Sequence, residues 1–551
     1  MNVNFRLLSG FLLAVILVLT GCSQSTSTND QESSDEPVTF TLFSADPHTQ
    51  WDNMESSVNQ KIVEATGVTL EGEFDVNGGD QKISLMAASG DYPDLIWPKG
   101  NSNILVDAGA LIDLTDLIEE HAPNLKKIYG DYFDRLKWST EDPSIYILPT
   151  AEVDHTYWEP GHGFMLQHDV VKELGYPDIR TVYDFEQAIR DYKEKYPEID
   201  GQPTIGLSLL ADDWRILIST TNPALYVTGV SDDGEYYIDP DTYEATLHYR
   251  RPEEKDYFRW LNHMNDSGLL DPESFVQSYD QYLAKISSGR VLAAIDANWH
   301  VGEAQRALRE EGKHERMFGM YPATLSEEYK HPNFQSSGYL GGWGIGITVD
   351  CEDPVRAIKF LDFLASEEGQ ILQNWGIEGE HYEVVDGERV IPEEEMDRRN
   401  NSANYVRDTG IGVLKGFAPS YGDGMTDSTG QTYTIVSPDQ IIEAYTDVEK
   451  EVLANYGVEM WKDLYPAKEE FPVKPWGAGW NITVESGSQL ELINQRCRDI
   501  MKKRVPEAIL ASPEDFDDIW DAFMNDLEQA GVEEAEKAFT ELVQERVELW
   551  N

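Results

Sequence analysis

VTFTLFSADPHTQWDNMESSVNQKIVEATGVTLEGEF occupies residues 38–74, and KISLMAASGDYPDLIW occupies residues 82–97. Val38 to Phe43 alternates β-formers and predicts a first strand. Met54, Val58, Ile62 and Ala65 recur at helical spacing, and Gly67 stands where such a helix would stop. Val68-Thr69-Leu70 opens a second strand. Lys82 to Ala88 predicts a short helix ending near Gly90. The turn Asp91 to Asp94 then feeds a short apolar strand, Leu95-Ile96-Trp97. This β-α-β-α-β rhythm predicts a parallel sheet with helices on its faces.

The same alternation continues. Tyr146 to Pro149 reads as a strand closed by proline. From Gly163 a strand precedes a helix over Val170 to Leu174. Thr181 to Tyr192 reads as a capped amphipathic helix, and Gly109 to Leu117 as a turn into a helix with Asp113 or Thr115 as cap. Strands are predicted over Val291 to Ala294 and Gly344 to Val349. Phe516, Ile519, Trp520, Phe523 and Leu527 lie on one face of a late helix, and a last helix follows. No internal repeat is present.

Single cores stop growing near roughly 250–300 residues, so a chain of 551 residues implies more than one lobe. Its 40% hydrophobic and 11% aromatic content excludes global disorder. Against 43 Lys and Arg stand 101 Asp and Glu, a formal charge of −58. A surface this acidic repels phosphate backbones and anionic headgroups. General nucleic-acid binding and a basic membrane patch are therefore excluded. The acids are spread along the chain, so they read as a hydrated surface suited to saline or alkaline surroundings. Repulsion or selection of a charged ligand is the alternative. Of Cys22, Cys351 and Cys497, none falls in a CxxC or a Cys/His cluster of zinc spacing. A Cys351–Cys497 bridge is geometrically open; buried free thiols are the plainer expectation.

Residues 1–22 read MNVNFRLLSGFLLAVILVLTGC. The apolar run from Leu7 to Leu19 is too short for a membrane span of about 20 residues. Leu19-Thr20-Gly21-Cys22 resembles the bacterial lipobox, in which the signal is cut before a cysteine that is then diacylated. The resemblance implies a signal peptide over 1–21, then an acylated Cys22 and a flexible acidic linker over 22–37. It implies a lipid-anchored protein on the outer face of the cytoplasmic membrane. No ATP is available there, and no GxxxxGK[ST] loop is present.

Five further stretches carry a family resemblance. They are Ala88 to Asp94, Gly109 to Thr115, Tyr146 to Pro149, Ser267 to Pro272 with Lys285 to Gly289, and Glu367 to Gln370 leading to Trp375–Tyr382. In this order and spacing the chain resembles the large family 1 extracellular solute-binding lipoproteins of carbohydrate ABC importers. These are distant relatives of maltodextrin- and alginate-binding proteins. The resemblance implies an α/β fold of the type II periplasmic-binding kind, with two lobes, a hinge and an interlobe cleft. It implies an N-lobe over 38–150 and 338–408, a C-lobe over 151–337, and a C-terminal segment, 409–551, mainly in the C-lobe. It implies an oligosaccharide ligand, an ABC permease as partner, and a monomer.

Sugars offer flat C–H faces and many hydroxyls, so their sites want aromatic rings and short polar chains. Trp97 follows the strand Asp94-Leu95-Ile96, with Lys99 and Asn101 in the same loop. Trp299 follows the strand Val291 to Ala294, and Asp296 between them is a further candidate ligand contact. The resemblance places sugar-contacting aromatics at both Trp97 and Trp299. Trp214 and Arg215 follow the strand-like Ile205 to Leu210. Trp158 lies where the chain is expected to cross lobes, and Tyr339 and Trp343 mark a second crossing. Asp46 and Trp51 are weaker candidates. Trp480 sits with Trp476 in a glycine loop that favours exposure, whereas Trp375 and Trp520 read as core.

Rival chemistry has little support. A glycosidase needs two carboxylates about 5–9.5 Å apart across one bond. With so many acids, pairs such as Glu378/Glu380 arise by chance. No GxSxG elbow or HExxH helix is present. His155, His162 and His168 have irregular spacing, so no metal site is expected there. The loop Tyr196 to Thr204 stands where alginate-binding relatives carry calcium, yet lacks the alternating Asp/Asn ligands. No cofactor is expected. A surface carbohydrate-processing enzyme and a receptor for a non-sugar solute such as a peptide are the alternatives.

Overall fold

The computed structural model describes residues 36–76, 79–485 and 487–550. The lipobox with Cys22 and most of the linker lie outside the described residues. Residues 37–551 form one compact unit built on two sheets.

The first sheet has five strands in the order Val68–Phe74, Val38–Ser44, Leu95–Trp97, Gly344–Ile347, Leu148–Pro149. Val38–Ser44 pairs in parallel with both of its neighbours, as the β-α-β-α-β rhythm predicts. The first connecting helix, Ser57–Thr66, starts on a Ser56 side-chain cap and stops at Gly67 in the left-handed region. The second, Asp80–Ser89, stops the same way at Gly90. Gly344–Ile347 returns antiparallel from far along the chain. After the turn at Gly109 the helix begins at Thr115, with Leu114 rather than Asp113 or Thr115 at the cap position. Residues 110–112 hydrogen-bond to Ile347 and Val349, and Asp113 receives the Thr115 N–H.

The second sheet runs Phe318–Tyr321, His162–Gln167, Val291–Ala297, Ile205–Ser208. Val291–Ala297 is buried at every position and extends past the predicted Ala294. A central strand with both faces covered shows continuous apolar character rather than alternation. Thr181 caps the helix Val182–Lys195 through a reciprocal box with Asp184. Three C-terminal helices, Gln489–Leu510, Phe516–Ala530 and Val532–Trp550, complete this lobe. Trp520 and Phe523 pack in its core, whereas Trp375 is buried on the first lobe's side.

Each sheet anchors its own core. Of the segment 409–551, side chains between Ile411 and Tyr433 join the first core, and those from Tyr445 onward join the second. Cys351 lies in one core and Cys497 in the other, so both are free thiols. Burial pushes them up to about 12 and about 11.

The lobes are joined by crossing segments that lie side by side. Pro149 pairs with Gly344, and the Thr150 N–H donates to Trp343 O at 3.2 Å. Ser420–Tyr421 runs parallel to Glu152–Val153. A Cβ on Gly344 would lie 2.1 Å from Leu148 O and 2.6 Å from Pro149 Cα, so only glycine fits without moving backbone. Gly344→Ala is expected to destabilise the protein by about 1–3 kcal/mol, read from the denaturant midpoint.

Candidate functional site

Ile205–Ser208 and Val291–Ala297 are parallel, so their carboxyl ends open in one direction. Ligands of open α/β sheets bind beyond such ends. Trp214 follows the first strand and Trp299 the second. Their rings stack with centroids 6.4 Å apart and planes 13° apart. They remain 49% and 60% exposed, which leaves ring surface for a ligand.

This pair is braced from below. His300 packs 3.9 Å from the Trp299 ring and 5.7 Å from Trp214. Its Nδ1 meets Asp296 Oδ1 at 2.7 Å. Asp296 is completely buried and also accepts from Tyr282 Oη at 2.9 Å and the Ala297 N–H at 2.8 Å. The expectation that Asp296 contacts ligand is therefore corrected: its oxygens face inward and hold the brace. Arg215 lies 5.1 Å from the Trp214 ring and 4.4 Å from Tyr279, and is ion-paired with Asp213.

On the first lobe, Lys99 Nζ pairs with Asp46 at 2.8 Å and stands 5.4 Å over the Trp343 ring. Asn101 donates to Asp80 at 2.8 Å. Two other expectations are corrected. Trp97 keeps 8% of its surface and packs in the first core, with Nε1 3.4 Å from Thr150 Oγ1. Tyr339 keeps 1%, lies against Tyr129 and Tyr132, and donates to Pro149 O. The crossing segments around residues 149 and 150 close over both rings.

Trp158 stands apart, half-buried at the first crossing with Lys462 Nζ 5.0 Å from its ring. Its neighbour Glu159 bonds the Tyr445 hydroxyl. Burial, together with the Glu449 and Asp463 carboxylates, pushes Glu159 up to about 7 despite Tyr445 and Lys462.

Between the lobes lies a cavity of about 730 Å³. Lys99, Trp138 and Trp343 line it from the first lobe, and Tyr236, Trp480 and Trp550 from the other side. Leu217, whose N–H bonds Trp214 O, lines it too. Trp343 and Trp480 meet edge to face at 5.1 Å. The glycine loop was a usable signal for Trp480, which is 44% exposed, but not for Trp476, which is corrected: it keeps 2% and packs in the second core. Trp138 and Trp550 carried none, because their convergence depends on how the lobes meet. Among the described residues, no group of three His, Cys, Asp or Glu side chains could hold a metal.

Residues 59–374 match the family model of the bacterial extracellular solute-binding protein. The chain belongs to that family. This solute-binding protein is 23% identical over 297 residues to the fructooligosaccharide ABC transporter substrate-binding protein FusA of Streptococcus pneumoniae serotype 4. That match spans 50% of this chain and only 54% of FusA. Lipoprotein LipO of Bacillus subtilis is 22% identical over 67% of this chain and 72% of its own. Among solved structures, a human-milk-oligosaccharide-binding, ABC-transporter-associated protein from Bifidobacterium longum infantis superposes with a TM-score of 0.66 at 14% identity. The superposition covers 93% of this chain and 99% of that one. Likeness at such identities shows the shared two-lobed fold.

Glu159 provides a test of the crossing. Its folded value of about 7 lies above the unfolded value of about 4.3. Its contribution is thus fully present at low pH and lost as pH rises through 7. Glu159→Gln, which stays neutral, is expected to be more stable than the parent at pH 8.5, with the gain shrinking at pH 5. Paired denaturant titrations at the two pH values measure it.

Proposed function

We propose that this solute-binding protein captures an oligosaccharide between its lobes and delivers it to an ABC importer. The Trp214–Trp299 pair carries the reading. It is exposed, rigidly braced, and placed where two parallel strands end. Indole faces stack on sugar C–H faces, while hydroxyls find polar side chains and waters. The likeness to FusA, a fructooligosaccharide transporter's substrate-binding protein, and to the oligosaccharide-binding Bifidobacterium protein supports this reading.

Binding both lobes shifts the population toward the closed form, and that form docks on the permease. No covalent chemistry is required. Cys22 carries the lipid anchor, and residues 22–37 are the leash of a monomer facing outward from the cytoplasmic membrane. Cys22→Ser is expected to release the protein from the membrane fraction, as fractionation and immunoblotting would read.

Calorimetric titration of the detergent-solubilised chain with neutral and uronate oligosaccharides tests capture directly. Binding without cleavage products is expected. Trp214→Ala and Trp299→Ala should each weaken it by about tenfold or more while folding stays intact. Turnover of the sugar would replace this reading with an enzyme. Silence across the panel would move it to a non-sugar solute.

A further inference from the structure

With 101 acids for 43 Lys and Arg, a cation in this protein has ample carboxylates to choose from. The cations around the interlobe space mostly have one. Lys99 pairs with Asp46, Arg215 with Asp213, Lys137 with Asp134 and Arg498 with Glu235. Arg135 and Arg546 do not. Both line the cavity, and among the described residues neither lies within ion-pair distance of a carboxylate.

Their hydrogen bonds go to neutral acceptors. Arg135 Nη1 donates to Tyr339 O at 2.9 Å. Arg546 Nη1 donates to Ala478 O at 3.4 Å, and Nη2 to Asn481 O at 2.9 Å. Its Nη1 also bonds Asn481 Oδ1. A guanidinium has five N–H donors, so each keeps unused ones. The two groups share one aromatic neighbour: Arg135 stands 4.7 Å and Arg546 4.8 Å from the Trp550 ring. They are close enough for Arg135 to disfavour the charge on Arg546, which burial and that neighbour together lower to about 9.

Acids also line the cavity, and their placement decides the sign. Asp233 is paired with Lys474, and Glu235 with Arg498. Glu491 receives the Gly487 N–H. The remaining acids, Asp107, Glu485 and Glu545, are exposed at the rim, where water screens them. The two unpaired cations are half-buried, where charge is felt more strongly.

We propose that this cavity is an acidic-sugar subsite. In it, Arg135 and Arg546, both against Trp550, receive the carboxylate of a uronic-acid unit in the captured oligosaccharide. The planar fork of a guanidinium matches a carboxylate. The aromatic walls of Trp138, Trp343, Trp480 and Trp550 suit the ring that carries it. The subsite rests on the oligosaccharide reading and narrows it to a charged ligand class.

The test titrates the full chain with tetrasaccharides of galacturonate, glucuronate and mannuronate, each against its methyl ester, alongside neutral glucan and fructan oligomers. At least one acid should bind about tenfold or more tightly than its ester. That margin should shrink as sodium chloride rises. Arg135→Gln and Arg546→Gln should each erase most of the margin, weakening the acid far more than the ester. Arg546 also fastens the loop 478–481; Arg135→Gln, which gives up a single carbonyl bond, reads the same effect if the other variant unfolds. Equal affinity for acid and ester overturns the subsite and leaves oligosaccharide capture standing. So does binding of neutral sugars alone. A folded Arg135→Gln that weakens acid and ester alike also overturns it. No binding of any sugar removes both readings together.

Discussion

At the lobe crossing, backbone packs against backbone with no room for a side chain. Gly344 lies so close to Leu148 and Pro149 that even a methyl group would collide with the carbonyl. Gly422 meets His155 in the same way, a Cβ there falling 2.4 Å from His155 Cα. Such contacts fix where the chain leaves one sheet and enters the other. The rest of the molecule depends on this constraint, because each lobe has its own core and could otherwise sit anywhere relative to its neighbour.

The second requirement is a rigid face for a ligand to meet. Exposed tryptophans lose rotamer freedom on binding unless it is removed beforehand. Here the removal happens at folding. Asp296 is buried at the end of a fully buried strand, which would be costly for an unaccompanied carboxylate. It receives the Tyr282 hydroxyl and the Ala297 N–H, and meets the His300 ring. His300 in turn wedges against Trp299 and Trp214. The polar network inside the lobe therefore holds the apolar face outside it in place.

Local pattern was enough for much of this. The spacing of Val58 and Ile62, the stops at Gly67 and Gly90, and the apolar strand before Trp97 foretold the first parallel sheet. The strand-end positions of Trp214 and Trp299 foretold the exposed pair. The same rule failed at Trp97 and Tyr339, because a strand end tells where the chain emerges and not what later covers it. Residues 149 and 150 cover both. Asp296 was misread for a related reason: a carboxylate near a cleft signals ligand contact until its hydrogen-bond partners are counted. The cavity between the lobes had no local signature at all. Arg135 stands hundreds of residues before Trp480 and Trp550 in sequence, and only the crossing geometry brings them together.

The distribution of cations follows from the same geometry and from the charge excess. Deeply buried cations are tied to carboxylates: Lys474 to Asp233, Arg389 to Asp427, and Lys285 to Asp271. Breaking such a pair by truncating one partner costs about 3–5 kcal/mol, because the survivor stays buried and charged. These pairs fasten loops and need no ligand. In a chain of charge −58, a half-buried guanidinium left without a carboxylate is a different case. Arg135 and Arg546 both stand against the Trp550 ring instead, and carbonyls rather than carboxylates orient them. A carbonyl fixes a guanidinium without neutralising it. The positive potential is thereby held in place and kept available, in an interior space that both lobes line.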